Sequence, residues 1–450
     1  MKVNDNICAI STALGVGAIS IIRASGDDVI EIVNKITKLK KINTVESHTI
    51  NYDHIVDGDD IVDEVLISVM KSPKTFTKED IVEINCHGGI ASTNKVLELL
   101  LTNGCRLALP GEFTKRAFLN GRIDLIEAEG IMDLINAKTD KSLKLAINQV
   151  SGNVSNLIVN LRQKIIEVLA NIEVNIDYPE YEDILEVTHS MLKENIEIVE
   201  KEIRDILRKS ENGKIVKDGI TVALIGRPNV GKSSLLNCLL ETNKAIVTDI
   251  AGTTRDFVEG TINIDGIVLN LVDTAGIRDT DDIVESIGVN KSKELINDSD
   301  LVLFLLNNNE KLNEEEKNIL ESIKNKPYII VINKIDLEKK LEIDDENIVY
   351  ISALNNKGID ELKEKIRKIF NLEQIEQEDL TYLSNARCIS LLKQALNSVV
   401  DVKEAIDNEI PVDMVEIDLK NIWEILGSII GVNYEEELID QLFSQFCLGK

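Results

Sequence analysis

The chain has 450 residues, a net charge of −28 and a hydrophobic content of 44%, enough apolar material for about two to four domains. That charge excludes broad, phosphate-driven binding to nucleic acid by the chain as a whole; work on RNA needs a local basic patch or a partner to supply the grip. Six scattered cysteines with no C-x-x-C pair exclude a zinc ribbon or a disulfide framework and fit a reducing cytosol. No apolar run approaches the ~20 residues of a membrane span, and the first residues lack a signal-peptide core, so the expectation is a cytoplasmic protein with no membrane partner.

In chain order, "ICAIS", "GAISIIRASG", "VDEVLISVMKS" and "DIVEINCHGG" are strand-like runs closing on Gly or Ser-Pro. "ASTNKVLELLLTNG" then has helical spacing, with Gly104 as its cap, which predicts an α+β domain over residues 1–118. Residues 119–216 repeat apolar positions at helical spacing and break only at "NIDYPEYED" around Pro179. At "ITVALIGRPNVGKS" the style changes to strand, glycine loop, helix, and strands alternate with helices over 217–373, as a mostly parallel, doubly wound sheet requires. Long amphipathic helices return over 374–450. The fold class is therefore multidomain α/β: an α+β domain, a discontinuous helical domain, and a P-loop domain inserted between its halves.

"GRPNVGKS", Gly226 to Ser233, fits G-x-x-x-x-G-K-S in the required context. Such a loop wraps phosphates in backbone N–H groups, with Lys232 on the β/γ-phosphates and the Ser233 hydroxyl on Mg²⁺. "DTAG" (Asp273, Thr274, Ala275, Gly276) ends a strand and sets a carboxylate near the metal and an N–H near the γ-phosphate. "NKID" (Asn333, Lys334, Asp336) ends another; the Asp336 carboxylate can accept from the ring N–H and the exocyclic amine of guanine, a pattern adenine does not offer. "SAL", with Ser352 and Ala353, can place a backbone N–H on the guanine oxygen. Together they predict a GTPase. Where Ras-like proteins carry a water-orienting glutamine stands Ile277, which cannot hydrogen-bond water, and the acids downstream (Asp279, Asp281, Asp282, Glu285) are not separable by spacing.

His87 in "CHGG" has no second ligand at metal spacing and reads as a turn or packing residue; Trp423 reads as helix core, and the cysteines before Cys447 as small buried hydrophobes. The closing "FCLGK" is a poor prenylation box, because Gly449 breaks the aliphatic pair and Lys450 is not a usual last residue.

With "GRPNVGKSSLLN", "AIVTDIAGTTRD", "DTAGIRDTDDIVESIG", "GAISIIRASG", "FTKEDIVEINCHGG", "RAFLNGRIDLIEAEGI" and "FCLGK" in this order, the chain resembles the MnmE (TrmE) family from residue 3 to its end. The resemblance implies a GTPase of tRNA wobble-uridine modification. It would work as a homodimer with the flavoprotein MnmG (GidA), in a heterotetramer whose partner makes most of the tRNA contact. An aminomethyl or carboxymethylaminomethyl group would be added at C5, with the one-carbon unit from 5-formyl- or methylene-tetrahydrofolate. In the G domain it implies K⁺ bound by Asn229, Thr248, Ile250 and Thr253, and Mg²⁺ by Ser233 and Thr254. GTP would also contact Val230, Gly231, Ser234, Asp249, Ala251 and Gly252, and Glu285 would act on the attacking water. It further implies a folate pocket of Arg23, Glu83, Arg122 and Lys450, with Cys447 as a candidate catalytic thiol and the tail as part of the active site. Two positions depart from the family pattern: Arg122 stands for a usual lysine and Ala13 for a usual proline. The alternatives are an Era-type ribosome-assembly GTPase, which would carry an RNA-binding module, and a folate enzyme acting without a flavoprotein.

Overall fold

The structure, a computed structural model, describes residues 5–177, 189–242, 258–273, 295–377, 379–434 and 436–450. Two compact units form: residues 1–132, 155–196 and 397–450 make one, and 133–154 with 197–396 the other.

The first unit holds a six-stranded sheet of β1 (Asn6–Ile10), β2 (Ile19–Ser25), β3 (Thr49–Asp57), β4 (Asp60–Met70), β5 (Ile81–His87) and β6 (Cys105–Leu107), in the order β3-β4-β5-β2-β1-β6. Pairing is antiparallel except between β1 and β6. Alternation in "ISIIRAS" and "IVEINCH" turns Ile22, Ala24, Val82, Ile84 and Cys86 into a core beneath α1 (Val29–Ile36) and α2 (Ile90–Thr102). In α1 Val29, Ile32, Val33 and Ile36 repeat at helical spacing and are buried, so the helix is held by packing more than by propensity.

Next come α3 (Glu112–Leu119), α4 (Leu125–Asn136), α5 (Asp140–Val150), α6 (Asn153–Asp177) and α7 (His189–Asp218). Arg116 on α3 is 3% exposed and donates to Asp5 Oδ1 at 2.6 Å and to Glu79 Oε2 and Glu112 Oε1 at 3.1 Å. Unpaired, so buried a charge would be prohibitive; three carboxylates make α3 a fixed platform.

In the second unit β7 (Ile220–Ile225), α8 (Lys232–Thr242), β8 (Val258–Ile264), β9 (Ile267–Asp273), β10 (Leu301–Asn307), α9 (Glu314–Ile323), β11 (Tyr328–Asn333), β12 (Ile348–Tyr350), α10 (Ile359–Ile369) and α11 (Leu372–Gln377) follow in turn. The sheet order is β12-β11-β10-β7-β9-β8, parallel except for the β8–β9 pair. Buried runs such as "LVLFLL" in β10 are what a sheet covered on both faces requires. The chain closes with α12 (Ala386–Asp407), α13 (Val412–Ile430) and α14 (Glu436–Ser444). Trp423 on α13 is half-buried, not core: Arg162 of α6 stacks 4.0 Å over its ring and donates from Nε to its carbonyl at 3.2 Å. No helix among the described residues is long and apolar enough to cross a membrane.

Candidate functional site

The carboxyl ends of β7, β9 and β11 carry Gly226, Asp273 and Asn333 at or just beyond their last residues, where doubly wound sheets bind ligands. Between β7 and α8 the backbone turns left-handed at Asn229 (φ 62°) and Gly231 (φ 99°). A Cβ on Gly231 would lie 2.2 Å from Asn333 Nδ2, so only glycine fits while that amide donates to Val230 O at 2.9 Å. Asn333 Oδ1 in turn accepts from Lys334 N at 2.8 Å and Ala353 N at 3.1 Å. One side chain thus ties the phosphate loop to both base-recognition loops.

Lys334 Nζ donates to Asn229 O at 2.8 Å, and Lys232 Nζ to Gly226 O at 2.7 Å. Asp336 accepts from Ser352 Oγ at 2.6 Å, and that bond, then its own backbone N–H, holds its carboxyl below the usual carboxylate range. A base reader that stays ionised suits guanine. The cleft has a volume of about 750 Å³ and is lined by Asn229, Lys232, Ser233, Asn333, Lys334 and Asp336 among others. Its size and its pair of lysines fit a nucleotide with its phosphates.

Sequence reasoning missed Arg227. Its guanidinium donates to Glu316, which is buried and also accepts from Asn313 N at 3.0 Å at the start of α9, and it pairs with Glu310 at 3.3 Å. The S/T/N-x-x-E capping pattern of "NEEE" was readable; an arginine partner 89 residues upstream was not.

A second cluster lies in the first unit. Arg23 on β2 faces Glu83 on β5 directly across the ladder, with Nε to Oε1 at 2.8 Å. Arg23 NH1 and Ser11 Oγ both donate to Gly449 O at 3.2 Å. Gly449 has φ 85°, and a Cβ there would stand 2.5 Å from Ile10 O, so the tail backbone lies directly against the end of β1. Gly111 N donates to Cys447 O at 3.2 Å, while Phe443 and Phe446 pack with Phe118 and Leu125. Cys447 is exposed and Lys450 half-buried, with its backbone N–H on Cys447 O at 3.3 Å; the other five cysteines are buried. Arg122 is not bonded to this group. It donates to Phe76 O at 2.9 Å and stacks 4.9 Å over the Phe76 ring, and Phe76 packs against the cluster containing Phe113, over whose ring Arg23 lies at 5.7 Å.

Thr248, Asp249, Ile250, Ala251, Gly252, Thr253, Thr254, Thr274, Ala275, Gly276 and Glu285 lie outside the described residues. Asp273 is placed as the last residue of β9, paired in register with Leu224. Among the described residues no cluster of His, Cys, Asp and Glu could hold a metal ion.

A parallel sheet whose phosphate loop, Asn333–Asp336 turn and Ser352–Ala353 turn share one cleft defines a guanine-nucleotide-binding P-loop protein. The family descriptions matched are "GTP-binding protein TrmE N-terminus" over residues 6–122 and "MnmE helical domain" over 125–447. The chain is 55% identical to the tRNA modification GTPase MnmE of Bacillus cytotoxicus over 455 residues, covering 99% of both chains. It is 55% identical to that of Bacillus licheniformis over 458 residues, covering 99% of this chain and all of the relative. A crystal structure of Aquifex aeolicus Era bound to GDP and aluminium fluoride is 33% identical over 34% of this chain and 56% of that one, with a TM-score of 0.25. The chain belongs to the MnmE family of tRNA modification GTPases, and its G domain serves GTP hydrolysis in tRNA modification.

Proposed function

We propose that GTP hydrolysis here is K⁺-dependent and drives installation of an aminomethyl or carboxymethylaminomethyl group at C5 of the tRNA wobble uridine. The one-carbon unit comes from a reduced folate, and the flavoprotein MnmG (GidA) is the partner. The observation that carries this reading is the Arg23–Glu83 pair with the Gly449 carbonyl docked on it. A carboxylate beside a guanidinium matches the donor edge of a pterin, and the close approach at Gly449 brings Cys447 and Lys450 to the same domain.

When bound, the folate supplies an activated one-carbon unit; the protein's residues orient it. Glu83 would accept from the pterin amino and ring N–H groups, held by Arg23, which faces it across the ladder on the same side of the sheet. Arg122, whose guanidinium stacks on Phe76, would meet the carboxylate tail rather than the ring. In the G domain Lys232, which donates to the Gly226 and Arg227 carbonyls, would turn to the β/γ-phosphate oxygens, and the Ser233 hydroxyl would hold Mg²⁺. Asn229 is the described member of the K⁺ set, and K⁺ would supply positive charge near the transferred phosphoryl group.

A homodimer is supported by the sheet face opposite α1 and α2. There Tyr52 and Leu66 are cross-strand partners, and Ile19, Ile50, Tyr52 and Leu66 are 62%, 70%, 55% and 48% exposed. A second copy of the chain would cover them.

The deciding experiment is mass analysis of wobble uridines in a deletion strain complemented with this gene, alongside hydrolysis assays in K⁺ and Na⁺. Restored modification and K⁺-specific hydrolysis are expected. Unrestored modification despite good expression, or hydrolysis indifferent to the cation, overturns the respective half.

A further inference from the structure

Residues 1–122 hold 14 Lys and Arg against 16 Asp and Glu, a net −2 in a chain totalling −28. Acidic charge is therefore concentrated elsewhere, and within this domain the basic residues are gathered. Three loops form one edge. Residues 37–48 are tied to β3 by Lys38 N donating to His54 O at 3.0 Å. They are tied to residues 70–78 by Lys71 Nζ on Val45 O at 2.7 Å and by His48 Nε2 on Lys74 O at 2.9 Å. The second loop is tied to residues 120–122 by Lys78 Nζ on Gly121 O at 2.8 Å, Asn120 Nδ2 on Thr77 O at 2.6 Å and Arg122 on Phe76 O at 2.9 Å.

Along this edge stand Lys38, Lys40, Lys41, Lys71, Lys74 and Lys78, all but Lys71 exposed. None forms an ion pair among the described residues, whereas Lys95 and Lys115 of the same domain pair with Asp57 and Asp440. Of nearby carboxylates, Asp80 is engaged by Ser72 N at 2.7 Å and Glu79 by Arg116, which leaves Glu46 as the exposed acid of these loops. The edge ends at Arg122, stacked on Phe76. An arc of lysines without ion-pair partners among the described residues, two of them (Lys71 and Lys78) held by backbone carbonyls, on the one near-neutral domain of an acidic protein, is built for a polyanion that is not repelled elsewhere.

We propose that this lysine arc is the chain's own docking surface for the phosphate backbone of tRNA, running toward the Arg122–Phe76 end where the modification cluster lies. The proposal rests on the tRNA-modification reading above and names the surface that reading leaves open. Lysines without base-reading partners hold and align the RNA without selecting its sequence.

The test is binding of the full chain to an unmodified tRNA transcript across a salt series. In K38Q/K40Q/K41Q/K74Q the slope of log K against log salt should flatten by about 3, with affinity down at least about tenfold in low salt. K201Q/K209Q/K214Q/K317Q makes the same change in net charge on other exposed lysines and should keep the wild-type slope. GTP hydrolysis by the arc variant should match wild type. Equal weakening in both variants, weakening in neither, or no binding by the wild type overturns the proposal. A loss seen on phosphatidylserine vesicles but not on tRNA overturns it too. If the wild-type gene restores wobble modification while the arc variant binds normally, only the arc falls; if it does not restore it, the reading beneath falls.

Discussion

Arg23 donates a hydrogen bond at 3.2 Å to the carbonyl of Gly449, 426 residues further along the chain. The residue that anchors Glu83 also fixes the position of the tail, so the tail and the candidate folate pocket are one construction.

Gly449→Ala tests that construction. At φ 85°, with a Cβ 2.5 Å from Ile10 O and 2.9 Å from Ser11 Cα, the methyl group forces the tail off β1. A displacement on this scale costs about 10²-fold in a positioned reaction. Wobble modification in cells carrying this variant, measured by mass spectrometry, should fall by about that factor. Affinity for GDP, read by other loops, checks that the protein is folded. Full modification would sink the idea.

Asp336→Asn addresses base recognition. The amide keeps the Ser352 contact but cannot accept from both guanine donors, and loss of two charge-assisted bonds at about 1.5–3 kcal/mol each predicts at least about 10²-fold weaker GDP binding. Xanthosine diphosphate, which offers an acceptor in place of the amine, should bind the variant better than GDP does. Titration with fluorescent analogues reads both, and unchanged preference for guanine rejects the assignment.

The G domain was readable because its chemistry is local: a glycine loop, an N-K-x-D turn and strand-helix alternation are written in contiguous residues. Asn333 shows the limit, since its bonds to Val230 and Ala353 depend on how β7, β11 and β12 are ordered, which no short motif states. Arg23 and Glu83 were reached by resemblance; their opposition across a ladder between strands 60 residues apart leaves no periodic trace. Trp423 looked like core because composition ranks Trp as apolar, yet Arg162 supplies a cationic cover. His87 looked like a turn residue, and its partner Asp63 lies on a neighbouring part of the sheet.

Arg227 and Glu316 make a third test. The pair fastens the phosphate loop to the first turn of α9, and Glu316 is buried, so removing the cation leaves an unpaired carboxylate. Arg227→Ala should lower stability by about 2 kcal/mol, discounted for the partly exposed arginine, and weaken nucleotide binding about tenfold. The exchange R227E/E316R should recover part of the affinity, which a merely missing side chain would not. Nucleotide affinity within twofold of wild type in Arg227→Ala rules out a positioning role.

The pair of His87 and Asp63 predicts a pH dependence. Asp63 Oδ1 meets His87 Nδ1 at 2.6 Å, and Asp63 Oδ2 accepts from Ser92 Oγ at 2.7 Å and His87 N at 2.9 Å. The hydrogen bond to Asp63, then its charge, raises the His87 imidazole above its ordinary value of 6.5. For Asp63, burial alone would push the carboxyl up, but its bonds to Ser92 and His87 hold it below 3.8. A histidine whose folded value is raised stabilises fully below the unfolded value of about 6.5 and loses that contribution as pH rises through the folded value. The carboxylate's contribution is present above about 3.8 and is lost as pH falls. The pair therefore contributes most in mild acid, between those two limits. NMR titration should place His87 above 6.5 in the wild type and lower in Asp63→Asn than in the wild type. The stability gap between wild type and His87→Gln should narrow as pH rises past the folded value. A His87 that titrates at or below 6.5 in the intact protein would show that the pair does not hold in solution.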